Sequence, residues 1–139
     1  MQPAQTPTIT ADQRDRLIAA ATTAMQQAYA PYSNFFVGAA VLTAAGNVFT
    51  GCNVENASYG LTICAERNAI FAAVAAEGPK LRIRAVAVTN QAGIACSPCG
   101  ACRQVIYEFG PEAVVYYRGP TDMQSSSASE LLPAGFRLS

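Results

Sequence analysis

The sequence predicts an α/β fold in which helices cover both faces of a mixed sheet, giving three layers. Three observations lead there. Apolar residues recur at helical spacing in some stretches and as short apolar or alternating runs in others. These stretches come in the order helix, two strands, helix, strand, helix, strand. The first two strands are joined by a tight turn, whereas the later ones are joined by helices, so antiparallel and parallel pairs share one sheet.

The elements follow in order. Asp12 to Tyr29 reads as a helix, because Leu17, Ile18, Ala21, Ala24, Met25, Ala28 and Tyr29 line one face at steps of three and four. Thr10 is placed to cap its start and Pro31 to end it. Phe36 to Thr43 is apolar and rich in small residues, as a buried strand is. Ala45-Gly46-Asn47 forms a turn, and Val48 to Val54 returns as the second strand. Cys64 to Ala76 reads as a helix stopped by Gly78-Pro79. Ile83 to Thr89 is the third strand. Gly100 to Phe109 is the next helix, stopped by Gly110-Pro111, and Ala113 to Tyr117 is the fourth strand. Thr121 to Ser129 is polar and serine-rich and reads as a loop, followed by a short apolar tail from Leu131 to Phe136.

A length of 139 residues suits one domain with one core, spanning residues 1–139, with residues 1–10 as a loose N-terminal arm. Charged residues make up only 13% of the chain, against roughly 25% in an ordinary domain. Surface covered by other copies accounts for that deficit, so an oligomer is expected. The formal net charge is zero and no basic run occurs, which argues against a nucleic-acid polymer as partner. No membrane-length apolar run and no charged-then-apolar leader is evident, so the cytoplasm is the expected location.

The five cysteines and the absence of histidine narrow the chemistry. An odd, clustered set does not suit a secreted disulfide framework. Without histidine, neither a Ser-His-Asp nor a Cys-His mechanism is available. Cys64-Ala65-Glu66 and Pro98-Cys99-Gly100-Ala101-Cys102 instead offer three thiols to one metal ion, with a carboxylate beside the first. Three protein ligands leave a tetrahedral zinc with one open position for water, and Glu66 is placed to move that water's proton. Both groups fall at helix starts, where partial positive charge favours thiolate. Three thiolates on a divalent ion leave a net negative charge. Arg67 and Arg103, each just after a ligand, are candidates to hydrogen-bond the sulfurs and offset it. On the residues alone three other uses of these cysteines stay open: an iron–sulfur ligand run, a structural zinc with Cys96 as fourth sulfur, and a Cys-x-x-Cys redox pair. Cys52 and Cys96 read as small buried residues.

The ligand-x-Glu and Pro-Cys-x-x-Cys pair is the signature of zinc-dependent base deaminases. Around it stand Pro31-Tyr32-Ser33-Asn34-Phe35, Val37-Gly38-Ala39-Ala40, Gly51-Cys52-Asn53-Val54-Glu55-Asn56, Ala57-Ser58-Tyr59, Cys64-Ala65-Glu66-Arg67 and Cys99-Gly100-Ala101-Cys102-Arg103-Gln104. With these motifs the chain resembles the homotetrameric zinc-dependent cytidine deaminases from about Asp12 to Phe136. Phe36 departs from the pattern, standing where the family often has proline or a polar residue. The resemblance implies the three-layer α/β/α fold of that family and hydrolytic deamination of cytidine and 2′-deoxycytidine, a step of pyrimidine salvage. It implies one zinc ion per subunit on Cys64, Cys99 and Cys102, with Glu66 as proton carrier. It assigns the sugar's 3′-hydroxyl to Asn53 and Glu55, an aromatic wall for the base to Phe35, and the base's polar edge to the backbone of Ala65. Phe136 and Tyr59 are implied to reach the site of a neighbouring subunit in a homotetramer. The metal motif also serves deaminases of other aminopyrimidine nucleosides such as blasticidin S; the Asn53-x-Glu55-Asn56 stretch and Phe136 favour ordinary nucleosides. A non-catalytic module stabilised by zinc is the reading from a different class.

Overall fold

A computed structural model describes residues 8–138. Five strands form one sheet in the order β2-β1-β3-β4-β5. They are β1 (Val37–Thr43), β2 (Val48–Cys52), β3 (Ile83–Asn90), β4 (Val114–Arg118) and β5 (Met123–Ser127). Strand β1 is antiparallel to both β2 and β3, β4 is parallel to β3, and β5 closes the edge antiparallel to β4. The helices are α1 (Ala11–Met25), α2 (Ala65–Glu77), α3 (Gly100–Phe109) and the short α4 (Ala128–Leu131).

Alternation along β1 and β3 sorts the core into two layers. Ala40, Leu42, Ala85 and Ala87 meet Leu17 and Ala21 of α1 on one face. Ala39, Val41, Val86 and Val88 meet Ala65, Ala69 and Ile70 of α2 and Ile106 of α3 on the other. Small residues let the helices approach closely. A Cβ on Gly38 would stand 1.9 Å from the Ala21 carbonyl oxygen, and one on Gly51 would stand 2.4 Å from the Ala69 nitrogen. The glycines in β1 and β2 are therefore contact points for α1 and α2.

Strands β2 and β3 both oppose β1, so they run in the same direction. Helix α2 follows β2 and α3 follows β3, which brings both helix N-termini to the same end of the sheet, as the sequence order implies.

Three boundaries differ from expectation. Helix α1 ends at Met25, well before Pro31, because Gln27 and Ala28 turn back onto Ala24 and Met25. Tyr29 then leaves the helix to bridge Val54, donating to the Asn53 carbonyl and accepting from the Glu55 amide. Strand β2 stops at Cys52, and Val54 pairs only in isolated bridges. The serine-rich segment expected as a loop is β5 and the start of α4. Its polar residues suit a sheet edge, where one row of backbone groups meets solvent.

Residues 1–7 of the expected loose arm lie outside the described residues. The rest of that arm is attached: the Thr8 carbonyl accepts from Arg84 Nη2 at 2.8 Å, Ile9 packs on the α1-side core, and Thr10 caps α1. Among the described residues no helix is long and apolar enough to cross a membrane.

Candidate active site

Cys64 is the N-cap residue of α2 and Cys99 that of α3; Cys102 lies one turn into α3. The end of the sheet shared by β2 and β3 brings these positions together. Their three sulfurs all lie within 4.8 Å of one another. Cys64 Sγ and Cys99 Sγ stand 3.8 Å apart. Two sulfurs bonded to one tetrahedral zinc, at about 2.3 Å each, are separated by about 3.8 Å. The donor set thus fits zinc in both chemistry and spacing. Cys96 lies outside this group. It is exposed rather than buried, its amide donates to the Arg118 carbonyl, and its sulfur faces the wall of the adjoining cavity. Cys52 is half-buried.

Arg67 Nη2 donates to Cys64 Sγ at 3.3 Å. Sharing of the Cys102 proton, helped by the Arg67 contact, draws the Cys64 thiol down to about 5. The same sharing and burial push Cys102 up. A metal binding here takes the place of those protons. Arg103 does otherwise than expected. Its Nε donates to the Pro98 carbonyl at 2.7 Å, Nη2 to Ser97 Oγ at 2.8 Å and Nη1 to the Leu131 carbonyl at 2.9 Å. With each of its three nitrogens bonded to a backbone carbonyl or a hydroxyl, Arg103 holds the loop that delivers Cys99 rather than a sulfur.

Glu66 sits in the first turn of α2 and is only 4% exposed. Burial, reinforced by the Cys64 charge, pushes its carboxyl up to about 7. It opens into a cavity of about 190 Å³ together with Cys64, Cys99, Phe35, Asn53 and Ala65. Val37, Thr62, Val88, Cys96 and Ser97 complete the wall. Val37, Thr62, Val88 and Ser97 were not singled out as site residues, though Val88 could have been found: it lies near the end of β3 on the α2-side face, in step with Val86.

Asn53 is buried and braces the wall. Its Nδ2 donates to the Phe35 carbonyl at 2.8 Å and its Oδ1 accepts from the Val37 amide at 2.9 Å. One donor and one acceptor position of the amide remain free for a ligand. Glu55 lies in an adjoining cleft of about 430 Å³ with Tyr32, Ser33 and Tyr59, and Thr62 borders both spaces. The Ser33 hydroxyl and the amides of Tyr32 and Ser33 all donate to the Glu55 carboxylate and lower its pKa from the ordinary value. Tyr59 is 75% exposed and packs edge-on against Tyr32. Phe136 is 67% exposed and lines neither space; its carbonyl accepts from Gln104 Nε2 at 3.2 Å. The chain thus places Phe35, Asn53, Ala65, Glu66, Cys64 and Cys99 in one cavity, with Cys102 buried behind them and Glu55 and Tyr59 beside it. Phe136 stands apart.

Residues 11–118 match the family described as the cytidine and deoxycytidylate deaminase zinc-binding region. The chain is 48% identical over 125 residues to a cytidine deaminase of Halalkalibacterium halodurans, covering 88% of this chain and 93% of that one. A probable cytidine deaminase of Dictyostelium discoideum is 46% identical over 125 residues, covering 90% of this chain and 84% of its own. The crystal structure of cytidine deaminase from Burkholderia pseudomallei superimposes with a TM-score of 0.80 at 50% identity, covering 88% and 98% of the two chains. That from Mycobacterium tuberculosis gives 0.78 at 43%, covering 90% and 98%.

Proposed function

The chain belongs to the zinc-binding cytidine and deoxycytidylate deaminases, and from that premise we propose how its residues deaminate cytidine and 2′-deoxycytidine hydrolytically, releasing ammonia. The observation that carries the reading is a cluster of three sulfurs, two of which, Cys64 and Cys99, line one cavity with the buried Glu66 carboxylate. Cys64, Cys99 and Cys102 would hold the zinc, which would supply an acidified water. Glu66 takes a proton from the attacking water and passes it to N3 of the base. The water oxygen bonds to C4. Glu66 then takes the remaining proton from the new C4 hydroxyl and delivers it to the amino nitrogen, so that the C4–N bond breaks, ammonia leaves and a C4 carbonyl remains. Arg67 offsets the excess negative charge of three thiolates.

Phe35 stacks on the base, and the backbone of Ala65 meets its polar edge. The sugar occupies the adjoining cleft, its 3′-hydroxyl between Asn53 and Glu55. Among the described residues of this chain no lysine or arginine lines that cleft, which holds the Glu55 carboxylate instead. That lining favours the free nucleoside over the nucleotide as substrate. Tyr59 and Phe136, exposed in the single chain, complete the site of a neighbouring subunit in a homotetramer. The low charge and the exposure of Leu61 and Leu138 beside them support that assembly. The single domain acts in the cytoplasm, in pyrimidine salvage.

An ultraviolet assay of purified protein with cytidine, 2′-deoxycytidine, cytosine and CMP tests the substrate. The first two are expected to be turned over, with cytosine and CMP at least about 100-fold poorer in kcat/KM, a loss of roughly 2.7 kcal/mol of transition-state binding. Equal use of CMP would overturn the nucleoside assignment.

A further inference from the structure

The sugar-side carboxylate is held by a single hydroxyl that also holds the aromatic wall. Glu55 Oε1 accepts from the amides of Tyr32 and Ser33 at 2.9 and 3.1 Å, which fills both of its lone-pair positions. Among the described residues Oε2 accepts from the Ser33 hydroxyl alone, in a short contact, which leaves one position for a ligand. The same Ser33 oxygen accepts from the Phe35 amide at 3.0 Å. Between them stands Asn34, whose φ of 58° puts it in the left-handed region, and whose amide donates to the Ala30 carbonyl at 3.0 Å. The turn from Ala30 to Phe35 is therefore wrapped around one carboxylate. A carboxylate on an exposed loop has several rotamers of similar energy; the two amides and the hydroxyl together hold one of them at the cleft that Glu55 lines, and the hydroxyl is the contact to Oε2.

We infer that Ser33 is a positioning residue: its hydroxyl aims Glu55 Oε2 at the sugar 3′-hydroxyl and ties that aim to the placement of Phe35. The inference rests on the sugar-site reading of Glu55 and adds the residue that orients it. Ser33 touches neither the base nor the metal ligands. Its loss should appear in binding of the hydroxyl and not in the chemical step.

The test compares Ser33→Ala, Ser33→Thr, Glu55→Gln and the double variant Ser33→Ala with Glu55→Gln in the zinc-loaded enzyme. Each is assayed with cytidine and with 3′-deoxycytidine, and zinc content and thermal melting are recorded. Ser33→Ala should raise KM for cytidine about 10-fold, the scale of one hydrogen bond to a charged group, with kcat within about two-fold and zinc unchanged. For 3′-deoxycytidine the same substitution should change KM less than about two-fold. Ser33→Thr, which keeps the hydroxyl, should restore KM, and Ser33→Ala should add nothing once Glu55 is glutamine. Ser33→Cys, with a weaker donor in a similar volume, should fall between serine and alanine. It keeps the comparison open if alanine destabilises the turn.

An unchanged KM in Ser33→Ala overturns the inference. So does an equal rise for both substrates, which would place the effect on Phe35 alone. If Glu55→Gln leaves the preference for cytidine over 3′-deoxycytidine intact, the sugar-site reading itself fails, and the role of Ser33 fails with it.

Discussion

Helices α1 and α4 begin with a polar cap, whereas α2 and α3 begin with a cysteine. Thr10 accepts from the Gln13 amide while Gln13 reaches back to Thr10, and Ser127 and Glu130 do the same for α4. These are reciprocal capping boxes, in which two orphan donors are satisfied locally. Cys64 and Cys99 make no such bond. Their side chains turn instead toward each other and toward Cys102. A helix whose start serves only stability closes on itself. Helices α2 and α3 leave their cap positions to candidate metal ligands, and the first turn of α2 also carries the buried Glu66 carboxylate.

This contrast can be broken at either end. The largest effect is expected from Cys64→Ser. Serine is a good cap and a poor zinc ligand, so zinc affinity should fall by more than about 100-fold, since even outer partners of a metal site are worth roughly 10–100-fold. Turnover should disappear with the metal. The zinc-free chain should melt no lower than the zinc-free parent, and up to about 1 kcal/mol in its favour. Metal analysis with calorimetry of both apo-proteins decides; retained zinc would remove Cys64 from the ligand set.

Glu66→Gln should keep zinc and the melting temperature of the loaded protein and lower kcat by about 10²–10⁴-fold. Turnover within a few-fold of the parent would show that another group moves the proton. Arg67→Gln should weaken zinc by about 10-fold, read by competition with a chelator, whereas Arg103→Gln should act mainly on melting temperature. Equal loss of zinc in both would mean that holding the Ser97–Pro98 loop matters as much as touching a sulfur.

The smallest effect belongs to the structural end. Thr10→Ala should cost about 1 kcal/mol of stability in a denaturant titration and leave kcat, KM and zinc content alone. A change in KM would mean that α1 reaches the site through β1, where Gly38 meets it.

Much of this contrast is visible in the chain itself. Thr10 and Gln13 are three residues apart, as are Ser127 and Glu130, and a cap is a matter of one turn. Cys64 and Glu66 are equally local, as are Cys99 and Cys102, so the donors and the proton carrier can be read from two short motifs. The Ser127 cap was nevertheless missed, because the serines before it looked like a loop. Their place in β5 depends on the free edge of β4, to which they pair residue by residue. Arg103 was misread for a related reason. Its neighbour in sequence is a ligand, yet its partners Ser97, Pro98 and Leu131 are set by the path of two other segments.

From its sequence alone the chain determined its first three helices and first four strands, its thiol and carboxylate chemistry and its poverty of charge, because each resides in composition or in a repeat a few residues long. Tertiary structure decided that sulfurs 35 positions apart should stand 3.8 Å from each other, that Glu66 should be dry, and that Ser33 should hold Glu55. Those outcomes depend on β2 and β3 pointing the same way on either side of β1, a pairing between distant segments that no local pattern encodes.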